Sequence, residues 1–329
     1  MKKPVDGLVR WTSLLILFLP SLAGCIFITG DFNPLSSRPQ PLEEHVVAGE
    51  GRAKIVLLDI SETITSESST GALGIRPRES TVARVEEVLR QAGDDDKVKG
   101  LVVRINSPGG TVTASDIIYE RLRRFQQDHP MPVMAQLMDI AASGGYYTAL
   151  AADEINATPT TVTGSIGVVF YDVSVEGLLD KLGVRNQTVR TGAMKDIGSP
   201  LRNMTPEERK VLQALLDQMQ VRFLGLVRTR RTKLTNEGAA RIADGRELSA
   251  DQALELGLVD RIAYLDETIE RTKTLANVSE ARVVVYRRPD EFAENIYSRG
   301  PATVPQVNLH NVNFDPLLRS PQFLYMWLP

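Results

Sequence analysis

The sequence predicts an α/β fold, with a mostly parallel sheet covered by helices on both faces. Two observations lead there. Runs that are apolar from end to end, such as Ile55-Val56-Leu57-Leu58 and Leu101-Val102-Val103, suit strands buried on both sides. Between such runs lie stretches with apolar residues at helical spacing, so strands and helices alternate along the chain. A chain of 329 residues, 43% of them hydrophobic, is long enough to bury a full core.

Regular structure is expected from Lys54, with a strand through Ile60. Val82, Val85, Val88, Leu89 and Ala92 then share one helical face, capped by Ser80 or Thr81 and ended by Gly93-Asp94-Asp95-Asp96. Strand patterns at 100–106, 133–138, 166–171 and 186–190 are interleaved with helix patterns at 114–127 and 175–182. The later half is mostly helical. Thr205 with Glu208 three residues on forms a capping box for a helix from Pro206 to about 230. Helices at 235–243, 250–256 and 265–275 and strands at 259–262 and 282–286 complete the pattern.

The ends read differently. Residues 1–24 look like a targeting segment: Lys2, Lys3 and Arg10 precede an apolar run that is short for a membrane span. Leu22-Ala23-Gly24-Cys25 is similar to a bacterial lipobox, in which the cysteine is lipidated and the chain is cut before it. An uncleaved signal anchor is the alternative. Both readings place the body in the cell envelope, on the periplasmic or extracytoplasmic face of a membrane. Residues 25–52, rich in Pro, Ser and Gly, read as a flexible tether, and 53–288 as the folded domain. The tail, 289–329, carries the apolar-aromatic run Phe323-Leu324-Tyr325-Met326-Trp327-Leu328. Such a run either docks on the body or contacts an oligomer or membrane.

Several functions are disfavoured. A net charge of −3 with scattered Lys and Arg gives no basis for nucleic-acid binding. Cys25 is the only cysteine, which rules out a disulfide framework or a cysteine nucleophile in the body. The three histidines, His45, His129 and His310, fall in the tether, a loop and the tail, so neither a zinc helix nor a Ser-His-Asp triad is expected. No metal and no cofactor is expected.

Three segments carry candidate chemistry. Asn106-Ser107-Pro108-Gly109-Gly110 follows a strand, and its glycines leave backbone N–H groups open to hold an oxyanion. In Ala141-Ala142-Ser143-Gly144-Gly145-Tyr146-Tyr147, a serine closes a strand and opens a helix, with small neighbours that leave room for a carbonyl. A plain helix cap is the alternative for Ser143. Thr191 to Pro200 places Lys195 in a glycine-bounded loop. A lysine works as a base only where burial keeps it from holding its proton, and a solvated lysine paired with Asp196 is the commoner outcome.

Together these segments resemble the signal peptide peptidase A family. The likeness also takes in Thr163-Gly164-Ser165-Ile166-Gly167-Val168, Gly192-Ala193-Met194-Lys195-Asp196, Asp244-Gly245-Arg246 and 253–260, over roughly residues 54–262. It implies stacked ββα units, as in the Clp protease and crotonase, and a Ser-Lys dyad of Ser143 and Lys195 acting through an acyl-enzyme. Gly110 and Gly144 are the candidate oxyanion donors. Ser165 either orients the lysine or is an ordinary turn residue. The implied substrates are cleaved signal peptides or other short apolar peptides. Double-length relatives complete the dyad between two halves, so a single-length chain implies a homo-oligomeric ring. A crotonase-like acyl-CoA enzyme and an inactive scaffold lipoprotein are the competing readings.

Overall fold

The computed structural model describes residues 40–70, 77–289, 291–298 and 323–327. The targeting segment, Cys25 and most of the expected tether lie outside the described residues. The first half contains β1 (Glu43–Ala48), β2 (Ala53–Ser61), β3 (Ser69–Thr70), β4 (Pro77–Arg78), α1 (Thr81–Gly93), β5 (Val98–Ser107), β6 (Gly109–Thr111) and α2 (Val112–Asp128). Then come β7 (Val133–Ala142), α3 (Gly144–Ala149), β8 (Glu154–Ala157), β9 (Val162–Gly164), β10 (Val169–Phe170) and α4 (Glu176–Lys181). The rest comprises α5 (Pro206–Arg230), α6 (Asn236–Ile242), β11 (Glu247–Ser249), α7 (Ala250–Glu255), β12 (Arg261–Ile262), α8 (Leu265–Leu275), β13 (Ala281–Arg287) and β14 (Phe323–Met326).

The main sheet has the order β1-β13-β2-β5-β7-β8-β12, with β9 beside β7 and β11 beside β9. All neighbours from β13 to β12 are parallel; β1 closes one edge antiparallel. Alternation along β2 explains its unbroken apolar run. Val56, Leu58 and Ile60 join the core under α1 and α2, while Ile55 and Leu57 face the opposite way, onto Leu265 and Ile269 of α8. Full burial of each such side chain is worth about 1.5–3 kcal/mol. Order ββα recurs: β5, β6 and α2 form one unit, and β2, the Ile64 bridge to Gly110, and α1 form another.

Helix starts follow the caps expected of them. Ser80 Oγ accepts from Ala83 N–H at 3.1 Å, and α1 buries Val85, Val88, Leu89 and Ala92. Thr205 and Glu208 form a reciprocal capping box on α5, with Pro206 at its first turn.

Three expectations are corrected. The tether expected over 25–52 includes β1, because Val47 and Leu42 find core contacts once Glu43–Ala48 pairs with β13. Residues 186–190 form no strand, since no neighbouring strand reaches them, and only Val169–Phe170 of 166–171 is a strand. From β10 to α5 the chain instead forms an exposed arm. Its helix α4 buries no residue, and Val173, Leu178, Leu182 and Val189 stand in solvent, Val189 at 96% exposure.

Candidate active site

Ser143 sits at the turn from β7 into α3 with φ 52° and ψ −115°, a backbone region that costs a non-glycine residue about 1–3 kcal/mol. The turn survives because both sides hold it. Ser143 N–H donates to Gly164 C=O at 2.8 Å, and Ser143 C=O accepts from Tyr147 N–H at 2.8 Å. Strand, strained serine and helix together are the arrangement that presents a nucleophile at a sheet edge. Ser143 is 1% exposed, and its Oγ makes one long contact, 3.5 Å, to Gly167 C=O. The side chain does not cap α3, so the plain helix-cap alternative does not describe it.

The glycines opposite form the other wall. Asn106 ties β5 to β7 by accepting from Ile140 N–H at 3.1 Å. Ser107 Oγ takes the Gly109 N–H at 3.1 Å, so of the two glycines only Gly110 has its N–H unused within the loop. A β-carbon on Gly109, at φ 105°, would lie 2.8 Å from the Gly144 nitrogen. Glycine at 109 is therefore what lets the Gly110 and Gly144 backbones approach as paired donors. One on Gly145 would lie 2.8 Å from Ser107 C=O, which fixes the second small neighbour of Ser143.

Ser165 lies on the turn after β9, next to the Gly164 carbonyl that holds Ser143. Its φ is 50° and its N–H donates to Arg246 C=O at 2.8 Å, which places Asp244-Gly245-Arg246 beside the site. A cleft of about 350 Å³ opens here, lined by Ser165, Gly167, Gln220, Asp244 and Met326.

Lys195 is not in this cluster. It lies exposed on the arm, and among the described residues its ammonium has no hydrogen-bond or ion-pair partner. Among the described residues, the buried setting expected for a lysine base is not provided around Lys195. Asp196 does not pair with it. Arg202 donates to Asp196 at 2.7 and 2.8 Å, and Arg190 donates to it at 2.9 Å. Arg202 also donates to Glu208 at 2.9 Å, anchoring the lysine loop to the start of α5. The Arg202 bonds hold the Asp196 and Glu208 carboxyls down at about 2. Because both values are depressed, the anchor is complete above the ordinary carboxylate range and is lost only as pH falls towards 2.

Sequence reasoning missed the Arg202 anchor and an aromatic recess behind Ser143. The Tyr147 ring packs tilted against Phe223, 4.9 Å between centroids, and its hydroxyl donates to Asp116 at 2.6 Å. Burial, with Asp116 beside it, pushes the Tyr147 phenol well up. The paired tyrosines after Ser143-Gly144-Gly145 were the available signal.

The model for peptidase family S49 matches residues 125–279. A protein of Enterococcus faecium named for signal peptide peptidase SppA is 35% identical over 74% of this chain and 70% of its own length. A Synechocystis protein named as a protease is 38% identical over 65% of this chain and 74% of its own. The chain belongs to peptidase family S49. A Methanocaldococcus jannaschii protein, also named as a protease, is 36% identical over 65% of this chain and 68% of its own. As a member of S49 this chain is a serine peptidase, and the acyl-CoA and inactive-scaffold readings fall away. The matched span includes Ser143, Ser165 and Lys195.

Proposed function

We propose that this S49 peptidase is a membrane-tethered endopeptidase for cleaved signal peptides or other short apolar peptides, working by a dyad of Ser143 and Lys195. The observation that carries the reading is Ser143 itself, held on a strained strand-to-helix turn beside the Gly110 and Gly144 backbones. In the mechanism, the Lys195 amine takes the proton of Ser143 Oγ as that oxygen attacks a peptide carbonyl. The N–H groups of Gly110 and Gly144 stabilise the tetrahedral oxyanion. Lys195 returns the proton to the leaving amine, and an acyl-enzyme forms on Ser143. Water, deprotonated by Lys195, then releases the acid. Ser165 hydrogen-bonds the amine. A fluorophosphonate probe should label Ser143 alone, read by peptide mass mapping; modification of a different serine rejects it as the nucleophile.

Two features support assembly into a head-to-tail ring. Among the described residues the Lys195 ammonium has no partner, and the arm that carries it exposes apolar residues including Val173, Leu178 and Leu182. A neighbouring chain would bury both, and would bring Lys195 of one subunit to Ser143 of the next. The N-terminal sequence supports export and anchoring in the cell envelope as a lipoprotein. Intact mass of the mature chain should show a start at Cys25 carrying lipid, and Cys25→Ser should leave the precursor uncut there. An unmodified N-terminus at Met1 or Lys2 would instead mean a signal anchor.

A further inference from the structure

Arg202 commits its whole guanidinium to the residue next to Lys195 and to the start of α5. Its Nε donates to Asp196 Oδ2 at 2.8 Å and its Nη2 to Oδ1 at 2.7 Å, the side-on fork in which guanidinium and carboxylate match. Nη2 also donates to the Asp196 carbonyl at 3.1 Å and to Glu208 Oε1. Nη1 donates to Glu208 Oε2 at 2.9 Å and to the Asn203 carbonyl at 3.1 Å. Every N–H of the guanidinium is thereby used. Glu208 is itself fixed: it is 1% exposed, and its Oε2 accepts the Thr205 N–H at 2.8 Å in the capping box of α5. The backbone at Asp196, whose carbonyl also accepts the Ser199 N–H at 3.1 Å, is thus tied to a helix start through one side chain.

The charges balance without the lysine. Asp196 and Glu208 face Arg202 and Arg190, with Arg190 reaching Asp196 at 2.9 Å. From α4, Glu176 accepts the Asn203 N–H at 3.0 Å. In the cleft beside Ser143, Asp244 is held by Arg246 at 2.9 Å, and Asp217 accepts from Gln213 at 2.8 Å. A carboxylate next to a lysine in sequence is well placed to hold its ammonium charged. Here that carboxylate is already engaged. With Arg202 14% exposed and Glu208 2%, the pairing is screened less than one on an open surface. Both carboxyls are held down at about 2, so the cluster stays ionised at any pH where a neutral amine could form.

We infer that Arg202 is a positioning residue for the peptidase: by claiming Asp196 it keeps the chain's own carboxylate off the Lys195 amine, and by joining Asp196 to Glu208 it sets where that amine is presented. This role rests on the reading of Lys195 as the base, and it has two parts. The charge of Arg202 governs how readily Lys195 gives up its proton. Its planar fork, which a lysine cannot reproduce, governs where Lys195 stands. Without the arginine, two carboxylates would face Arg190 alone, and the Lys195 ammonium would take the vacant place. The amine would then hold its proton to higher pH, and Ser143 would lose its base in the neutral range. A simple brace would behave differently, because removing a second member of the cluster could only weaken it further.

The test compares two pH profiles in the full-length protein: peptide cleavage, and acetylation of Lys195 by acetic anhydride. The second is read by peptide mass mapping and needs no turnover. Arg202→Met should raise both midpoints by about one unit, and so lower cleavage about tenfold at a pH below the midpoint. Arg202→Met combined with Asp196→Asn removes one charge of each sign. It should return both midpoints to within about 0.3 unit of the parent, although more bonds are lost. Arg202→Lys keeps the charge and should keep the midpoints, while kcat at the high-pH plateau falls about tenfold or more and KM stays within about twofold. Arg202→Met midpoints equal to the parent's overturn the inference, and so does a double variant whose midpoints stay raised. Should Arg202→Met fold poorly, Arg202→Lys decides, since a plateau kcat equal to the parent's overturns the positioning role. Cleavage retained in Lys195→Ala would instead reject Lys195 as the base, and the acetylation midpoints would still decide whether Arg202 governs its amine.

Discussion

Ser143→Ala should lower peptide cleavage on the order of 10⁶-fold, the scale on which removal of a serine nucleophile acts. Folding should be nearly untouched. Ser143 Oγ has one contact, at 3.5 Å, so alanine gives up less than a typical hydrogen bond, about 1 kcal/mol. The strained backbone offers a sharper check. Alanine keeps the β-carbon that makes φ 52° costly, whereas glycine removes it. Ser143→Gly should therefore be as inactive as Ser143→Ala and more stable than the parent by about 1 kcal/mol or more, measured by urea unfolding. Substantial turnover by purified Ser143→Ala protein would sink the nucleophile assignment. A Ser143→Gly chain less stable than Ser143→Ala would show that the turn is not strained.

Mixing two dead proteins should restore activity. Lys195→Ala should be inactive but fully stable, because the side chain is exposed and has no partner among the described residues. Each junction of a head-to-tail ring would use a serine from one chain and a lysine from the next. In rings exchanged from equal amounts of Ser143→Ala and Lys195→Ala, about a quarter of the junctions would hold both intact residues. Peptide cleavage should thus return to about a quarter of the parent rate after subunit exchange, and stay at zero without exchange. Mixed oligomers, verified by mass, that remain inactive would place both residues of the dyad within one chain.

Strands buried on both faces and helices with clear caps were legible in the sequence, because burial pattern and capping chemistry are local properties. Glu43–Ala48 was not. Only Val47 of that strand is buried, so periodicity could not distinguish it from a proline-rich tether. Strands β6, β9 and β14 were missed for a related reason: each is short, and each gains its partner only after distant segments meet. At the site, Ser143, Ser165 and the glycines stood out through small residues at strand ends. The serine turn, however, lacks the Gly-x-Ser-x-Gly pattern and forms through Gly144 and Gly145 alone. Lys195 stood out as a residue but not as a position, because neither its exposure nor the diversion of Asp196 to Arg190 and Arg202 can be read from spacing. The nature of the tail was open between docking and an outside contact, and β14 resolves the described part as docking.

The arm from 171 to 203 has a consequence for timing. Under the proposed ring, a single chain would carry a nucleophile without a base, and so would behave as a zymogen switched on by assembly. Its activation would be second order in chain concentration: specific activity should climb with protein density on the membrane and vanish on dilution, with no cleavage event to reverse. The proposed tether would confine the chains to a surface, where encounters are far more frequent than in the surrounding volume. A peptidase built this way would be silent in transit and would switch on where enough copies accumulate.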